Sequence, residues 1–425
     1  MTLIIGVDVA KFFSSYTILD SNGSCVIPTF DSNNDVKGLE DVLEKIKKAA
    51  NGSKDNHVLI MESTGYFSNR LRDYFTSHEL NVLEINPLIS NSIRNISVRK
   101  VKNDHADSYD LANLYLTGKL NKLIQKKLTE CIPLSQDYMR LRVLTRARQK
   151  LSKQRTTQVM QLVADVEQVL PTYKKLFKDM ACKSSLATLE LICKPEMITY
   201  DSFYSTLKVI TPCRGQAYFT KYYDKLIDIL DDAKIIGRKV ETFFITIKIH
   251  VSLILEYDKY LAQLEEQIHE LSQDLDSVRL LKSIPGIGGN IAPAIASEIG
   301  DISRFKNVKA LVAFCGLDPG VKQSGQYNRL HNKISKRGAP ELRRALYMAA
   351  MLSITKMKNG HYRNKVLYDY YQELILKKPR KVALGAIMHK LVRIIFSVLK
   401  NQQEFIMITP EQQRKLYQNN LSIAI

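Results

Sequence analysis

The hydrophobic pattern of the N-terminal part of the chain predicts alternating strands and helices. Short runs rich in β-branched residues, beginning with Leu3 to Val7, are bounded by turn sequences and predict five strands. Stretches with apolar residues three and four apart predict three helices, the last over Asn103 to Leu116. The predicted order is β-β-β-α-β-α-β-α, with strands at 3–7, 15–19, 25–30, 57–61 and 81–85 and helices at 36–49, 66–75 and 103–116.

Acidic residues occur at the ends of two of these strands and on the last helix. Asp8 ends the first strand, Glu62 ends the fourth, and Asp104 and Asp107 are three apart on one helix face. Burying an unpaired carboxylate is costly, and a bound metal ion offsets that cost. This arrangement is typical of a ribonuclease H or RuvC-like domain, where four carboxylates hold two Mg²⁺ ions about 4 Å apart. Asp110, one step further along the same face, competes for a helix position.

The middle of the chain is predicted to be helical. A basic helix runs from Tyr138 to Leu170, where Pro171 ends it. A second long helix, from about His250 to Leu275, has apolar residues alternately three and four apart, as in a coiled coil. Residues 172–246 between them have the pattern of shorter helices and loops. Two interpretations stay open, namely an antiparallel arm that pairs with a partner subunit and a helical hairpin within one chain.

Glycine-containing turns alternate with helical segments from Val278 onwards. The turn containing Gly286 and Gly288 precedes a predicted helix and is similar to a helix-hairpin-helix element, whose backbone N–H groups approach a phosphate. A simple turn between helices is the alternative. Further along, a loop places Ser324 beside Gly325. The basic residues near this serine are candidates to contact a phosphate: Lys322, Arg329, Lys333, Lys336, Arg337, Arg343 and Arg344.

Composition indicates a folded, strongly basic protein. The 425 residues are 45% hydrophobic and suffice for two or three cores, and a net charge of +19 favours a polyanionic partner. A generic basic surface is the alternative. Six cysteines without a Cys-x-x-Cys pair argue against a zinc site or disulfide framework and fit a reducing compartment. Neither a signal peptide nor an apolar stretch of about 20 residues is evident, so a cytoplasmic, nucleoid-associated protein without a membrane partner is expected.

The predicted fold class is α/β plus α. The predicted parts are a RuvC-like domain with a mixed sheet, a helical coiled-coil linker, a mainly helical C-terminal domain and a short tail. We assign these parts to residues 1–125, 126–277, 278–410 and 411–425.

Six motifs, taken in order, resemble those of a known protein family. They are Gly6-Val7-Asp8-Val9-Ala10-Lys11, Met61-Glu62-Ser63-Thr64-Gly65, Asp104-x-x-Asp107, Ile284-Pro285-Gly286-Ile287-Gly288, Gln323-Ser324-Gly325 and Ser335-Lys336-Arg337-Gly338. Together they look like an insertion-sequence transposase of family one-ten, the Piv-like DEDD transposases that are also described as bridge-RNA-guided recombinases. The resemblance covers residues 1–120 and 278–400, and the middle matches only as a helical linker.

The resemblance implies roles for particular residues. The metal-binding tetrad would be Asp8, Glu62, Asp104 and Asp107, and Ser324 would be the nucleophile that forms a transient phosphoserine link to DNA. It also implies that dimers assemble into a tetramer in which the acids of one subunit meet the serine of another. A structured guide RNA would pair with target and donor DNA. Relatives usually carry Thr where this chain has Asn103, but the acids are all present.

The expected function is therefore Mg²⁺-dependent excision and insertion of a mobile element by strand cleavage and religation. The principal alternative is a structure-specific endonuclease, such as a junction resolvase, that uses the same acids with water as the nucleophile. A sugar-kinase-like protein would carry Gly after the first acid, where this chain has Val9. A nucleic-acid-binding scaffold explains the charge but gives the spaced acids no purpose.

Overall fold

The computed structural model describes residues 2–51, 57–63, 65–85, 104–116, 135–194, 198–320, 323–324, 327–328, 333–408 and 411–412. For residues 104–106, 323–324 and 327–328 the description is limited to the backbone. The chain divides into two compact units, Met1–Ile132 and Pro133–Ile425. The predicted boundaries near residues 125 and 277 stay predictions, and most of the predicted tail lies outside the described residues.

A five-stranded mixed sheet forms the centre of the first unit. Its strand order is β3-β2-β1-β4-β5. Strands β1, β2 and β3 pair antiparallel, whereas β1, β4 and β5 pair parallel. The strand bounds are β1 Ile4–Val9, β2 Phe13–Leu19, β3 Cys25–Asn33, β4 Val58–Glu62 and β5 Asn81–Ile85. All five predicted strands are present, which confirms the predicted α/β architecture of this part.

Helices cover both faces of the sheet. Alternate residues of a strand point to opposite faces, so Ile5 and Val7 of β1 face one side while Ile4 faces the other. The first side packs against α1 (Val36–Ala50) and α2 (Tyr66–Ser77) in one apolar core. The second side packs against α3 (Asp104–Leu116) in a separate, smaller core. The position of α3 decides which polar side chains meet at the ends of the strands.

Two long helices dominate the first part of the second unit. Helix α4 spans Gln136–Val169 and α8 spans Thr242–Ser272, so α8 begins eight residues before the predicted start at His250. They run antiparallel, because the contacts of Arg148 with Glu265 and of Arg155 with Asp258 move towards the start of α8 as α4 advances. The hairpin is therefore formed within the chain. Helices α5 (Lys183–Ile192), α6 (Tyr200–Ile210) and α7 (Gln216–Ile236) pack at its far end.

The rest of the second unit is a helical domain with its own core. It contains α9 (Asp276–Lys282), α10 (Ile291–Ile299), α11 (Val308–Phe314), α12 (Pro340–Ser353), α13 (Lys365–Ile375) and α14 (Arg380–Asn401). A small hairpin of β6 (Gln323–Ser324) and β7 (Tyr327–Asn328) precedes α12. Among the described helices, α14 alone has the length and hydropathy to cross a membrane, yet half of its most apolar window is buried within the protein.

Candidate active site

Parallel pairing of β1 with β4 places two of the predicted acids side by side. The strands are in register from Ile4 opposite Val58 to Val7 opposite Met61, so Asp8 and Glu62 follow at the next position. Ile4, Val58 and Ile60 line the core beneath α3. Because side chains alternate along a strand, Asp8 and Glu62 project from that same face. Two carboxylates thus lie at neighbouring strand ends on the α3 side of the sheet.

Helix α3 crosses β1 at Gly6, where only a glycine fits. A Cβ on Gly6 would lie 1.9 Å from the carbonyl oxygen of Ser108 and 2.8 Å from the backbone nitrogen of Ala112. The Ser108 hydroxyl is also 2.8 Å from the Thr17 hydroxyl, and both side chains are buried. These contacts fix the distance and the rotation of α3 over the sheet.

The direction of α3 brings its first turn to the strand ends that carry the acids. The last residue of α3, Leu116, lies near Gly23 in the turn between β2 and β3, where a Cβ on the glycine would be 3.6 Å from Leu116 Cδ1. This turn is at the opposite end of β1 from Asp8. The helix therefore runs against β1. From Ser108 back to Asp104 the helix rises about 6 Å, and two residues of β1 span a similar distance. The first turn of α3 consequently lies over the Asp8 end of the strand.

Burial distinguishes the acids of α3. Asp107 is only 8% exposed, whereas Asp110 is exposed. Since a buried carboxylate requires charged or hydrogen-bonding partners and an exposed one does not, burial favours Asp107 over Asp110 as the site residue. The side chain of Asp104 and all of Asn103 lie outside the described residues.

The acids that are described supply the type of ligand that Mg²⁺ prefers. Asp8, Glu62 and Asp107 offer only carboxylate oxygens, which favour hard divalent cations such as Mg²⁺ over softer transition metals. The donor set therefore fits the metal that the fold implies. In the part of the chain with described side chains, no three His, Cys, Asp or Glu residues lie close enough to hold an ion. The proposed tetrad thus depends on Asp104 and on a closer approach of the three described acids.

Ser324 lies in the small hairpin of the second unit. Its backbone pairs with Tyr327, the last pair before residues 325–326. The side chains of Ser324, Lys322 and Arg329 lie outside the described residues. The hairpin is closed at its base, where the backbone N–H of Gly320 donates to the Lys333 carbonyl at 2.8 Å.

A close packing of two glycines and an arginine supports the base of this loop. A Cβ on Gly338 would lie 2.0 Å from the Phe314 carbonyl oxygen, and Gly316 has a positive φ of 65°. Arg343 donates to the Cys315 carbonyl at 3.2 Å and to the Gly338 carbonyl at 3.5 Å. Arg343 thus joins the segments before and after the loop. The sequence predicted a phosphate contact for this residue and did not predict this structural role.

The other predicted nucleic-acid contacts fall into two groups. Lys336, Arg337, Arg344 and Gly288 are exposed, so their predicted contacts with phosphate stay predictions. Gly286 is buried instead, and a Cβ there would lie 2.1 Å from the Ser353 hydroxyl oxygen. Packing against α12 explains why this position requires glycine, without any phosphate.

Sequence reasoning missed the residues that hold α3 in place. Thr17 and Ser108 carry no motif of their own, and their contact joins positions 91 residues apart. A signal was nevertheless present in Gly6, a glycine inside a β-branched strand two residues before an acid. Glycine within a strand often marks a close approach of another backbone.

Comparison with known protein families places both parts of the chain. The DEDD transposase model of IS110 elements, described as "Transposase", matches residues 5–171. A second model, described as "Transposase IS116/IS110/IS902 family", matches residues 278–371. The two models match in order, and together they cover more than half of the chain.

Individual relatives agree with this result. The pilin gene-inverting protein of Moraxella bovis is 31% identical over 157 residues, which are 36% of this chain and 47% of that protein. The transposase for insertion sequence element IS1111A of Coxiella burnetii is 28% identical over 152 residues, 36% of this chain and 41% of that protein. The chain thus spans less than half the length of these curated relatives. From the two family models and these relatives, the chain belongs to the IS110 family of DEDD transposases.

Proposed function

We propose that this protein is a DNA transposase, a site-specific recombinase that excises and inserts a mobile element. The observation that carries the proposal is the placement of Asp8 and Glu62 at adjacent ends of parallel strands, beneath the helix that bears buried Asp107. Relatives named as a transposase and as a gene-inverting protein support the same class of reaction. With DNA as its substrate, the protein would act in the bacterial cytoplasm.

The acids have a defined task in this proposal. Asp8, Glu62, Asp104 and Asp107 would hold Mg²⁺, in two sites. Bound Mg²⁺ supplies Lewis-acid stabilisation of the charge that develops on a phosphate under attack. The chain supplies rigidity, because Asp8 and Glu62 are fixed by two hydrogen-bonded strands and α3 is fixed by Gly6 and Ser108. Rigid placement matters because small errors in the position of catalytic groups are costly.

Ser324 is the proposed nucleophile. As the bond from its Oγ to the phosphorus forms, the bond from phosphorus to one deoxyribose oxygen breaks. The serine hydroxyl loses its proton, and the departing strand end gains one. In the rejoining step, the hydroxyl of another strand end attacks the phosphoserine, and the serine oxygen leaves. One phosphodiester replaces another, so the cycle needs no nucleotide cofactor.

The acids and the serine of the proposed site belong to different compact units of the chain. The acids belong to Met1–Ile132 and Ser324 to Pro133–Ile425. We propose that acids of one subunit act with the serine of another in a tetramer built from dimers. A structured guide RNA would select target and donor DNA by base pairing and so relieve the protein of reading sequence.

Recombination in cells tests this function. The coding sequence with its native flanks is placed on a supercoiled plasmid in a bacterial host that lacks the element, and recombinant junctions are sequenced. We expect junctions from the native protein, none from Asp8→Asn or Asp107→Asn, and an undiminished yield from the matched control Asp110→Asn. Equal junction yields from Asp8→Asn and the native protein would overturn the catalytic assignment.

The role of the serine needs a separate measurement. Purified protein, Mg²⁺, RNA transcribed from the flanking non-coding sequence and end-labelled DNA are incubated, denatured and separated by electrophoresis. A covalent protein–DNA adduct is expected from the native chain and not from Ser324→Ala. DNA cleavage without an adduct, undiminished in Ser324→Ala, would identify water as the nucleophile, as in a junction resolvase.

A further inference from the structure

Helix α14 lies in a basic segment that contains no acidic residue, the longest such segment in the C-terminal helical domain. Between Glu373 and Glu404 the sequence has no Asp or Glu, although these residues make up about a tenth of the whole chain. The same stretch has seven Lys or Arg residues and one His. No predicted motif includes it, and neither family model extends to it.

The cations of α14 are held on its outer side. Ile387, Leu391 and Ile395 are buried in the core, which fixes the rotation of the helix. On the opposite side, His389, Arg393 and Lys400 are four and seven residues apart and share one face. Lys390 lies at the edge of this face, and Lys381 is in the first turn of the helix. We call this set the α14 stripe: Lys381, His389, Lys390, Arg393 and Lys400.

The charges of the stripe are not neutralised within the fold. None of its Lys or Arg side chains has a carboxylate at ion-pair distance among the residues that the structure describes. Lys390 lies over the Tyr370 ring, 5.4 Å from its centroid, a contact with an aromatic ring and not with an acid. A row of like charges raises the energy of the folded protein through repulsion, and a polyanion would remove that cost.

A partly buried glycine in the first half of α14, four residues before His389, supports the same conclusion. Gly385 is inside α14, where glycine lowers helix stability, and no atom lies within 4 Å of the place its Cβ would take. Close packing within the protein therefore does not explain it. A glycine with open space above it lets the backbone of another molecule approach the helix closely.

The dimensions of the stripe match a double helix. From Lys381 to Lys400 the helix rises about 29 Å, close to the roughly 34 Å of one turn of B-DNA. The face carries no exposed aromatic ring on which an unpaired base could stack, since Phe396 is partly buried against the core. We propose that the α14 stripe binds the phosphodiester backbone of double-helical nucleic acid, independently of its sequence.

This surface acts separately from the acids of the first unit, so binding is measured with EDTA present. The full-length protein is titrated into a fluorescent DNA duplex of about 30 base pairs between about 50 and 200 mM salt. In the stripe variant, Lys390, Arg393 and Lys400 are each replaced by Gln. We expect at least about a tenfold loss of affinity and a salt slope lower by up to about three, with the melting temperature unchanged.

Two further variants make the result specific. The matched control removes three exposed lysines of the helical region, Lys221, Lys248 and Lys259, and should bind within about twofold of the native protein. A double variant with Lys390→Arg and Arg393→Lys keeps the charge and should bind like the native protein. Equal losses from the stripe variant and the control, or no loss from the stripe variant, would overturn the proposal.

Binding measurements with other phosphate-containing ligands show which of them the α14 stripe binds. Loss of affinity for a DNA duplex or for an RNA duplex supports the proposal and says which duplex binds. A loss seen only with single-stranded DNA, or only with anionic phospholipid vesicles, would overturn it. Asp8→Asn should bind like the native protein, so failure of the proposed catalysis and failure of this surface give different results.

Discussion

Helices α4 and α14 are both long and basic, but among the described residues ion pairs are formed by α4 and not by α14. Four arginines of α4 pair with acids of α8 and α10: Arg142 and Arg146 with Glu298, Arg148 with Glu265, and Arg155 with Asp258. The lysines and arginines of the α14 stripe pair with no described carboxylate. The basic charge of a segment therefore does not measure its capacity to bind a polyanion, because paired charges are already neutralised.

The pairing on α4 also has a structural purpose. Arg146 binds both oxygens of Glu298 at 2.6 and 2.9 Å, and Arg142 donates to the backbone carbonyls of Ser297 and Glu298. Burial lowers the pKa of Arg142 to about 10, while the hydrogen bond with Glu298 raises the pKa of Arg146. Glu298 therefore docks the long helix on α10 and stabilises two guanidinium charges at once.

The largest expected effect comes from removing this buried carboxylate. Glu298 is 3% exposed, and Glu298→Gln would leave two arginines facing a neutral amide. Breaking a buried pair costs about 3–5 kcal/mol, and partial exposure of Arg146 reduces the expected loss here to about 2 kcal/mol. The measurement is the free energy of unfolding from denaturant titration.

The more exposed pair of Arg148 and Glu265 is the control for Glu298→Gln. The Glu265 carboxylate is 40% exposed, so Glu265→Gln should cost less than about 1 kcal/mol. Equal losses from the two variants would mean that Glu298 is not a special docking point. The ion pairs of α4 would then be interchangeable in their contribution to stability, whatever the burial of the acid.

Much of the fold could be predicted from the sequence because local patterns coincide with tertiary packing. Strands β1 to β5 lie within three residues of their predicted bounds. The apolar runs of β1, β2 and β4 are buried on both faces, whereas β3, an edge strand without a buried residue, deviates most. The start of α8 was wrong by eight residues. The segment from Thr242 to Ile249 is rich in aromatic and β-branched residues with low helix propensity, and burial of Ile247 against the insert overrides it.

The candidate site was predictable only in part, for a related reason. Acids at strand ends are visible in the sequence, but the contact of Ser108 with Gly6 depends on where α3 crosses the sheet. The partners of the α4 arginines lie more than a hundred residues away along the chain. Whether the basic side chains of a helix form ion pairs therefore cannot be predicted from the sequence until the fold is known.

Helix α14 contains a glycine, Gly385, whereas α4 contains none. Gly385→Ala should stabilise the protein by about 0.5–1 kcal/mol, because alanine favours the helix and its Cβ meets open space. The same change should weaken binding of a DNA duplex if a backbone approaches at this point. The control Ala386→Gly should lose a similar amount of stability. A gain in stability without any change in affinity would remove Gly385 from the binding surface.

A smaller effect is expected from a partly exposed pair between α4 and α8. Arg155 and Asp258 form two hydrogen bonds, at 2.5 and 2.9 Å, yet the Asp258 carboxylate is 41% exposed. A double-mutant cycle with Arg155→Gln and Asp258→Asn should give a coupling energy of about 0.5 kcal/mol. The double variant keeps the net charge and should bind a DNA duplex unchanged. A loss of affinity as large as that of the stripe variant would contradict the distinction between the helices.

The smallest effect, and the most local, is the titration of His389 within the α14 stripe. Partial burial of the ring, together with the nearby charges of Arg393 and Lys390, lowers the pKa of His389 below its ordinary value of 6.5. Folding thus favours the neutral ring, so the contribution of His389 to stability is intact above pH 6.5 and is lost as the pH falls through the lowered pKa. A phosphate backbone over the stripe favours the charged ring and should raise this pKa, so duplex affinity should rise as the pH falls through that window.

NMR titration of the histidine ring protons, assigned with His389→Gln, measures the pKa of His389 in the free and the DNA-bound protein. A pKa that stays unchanged when saturating DNA duplex is added would place the nucleic acid elsewhere on the protein.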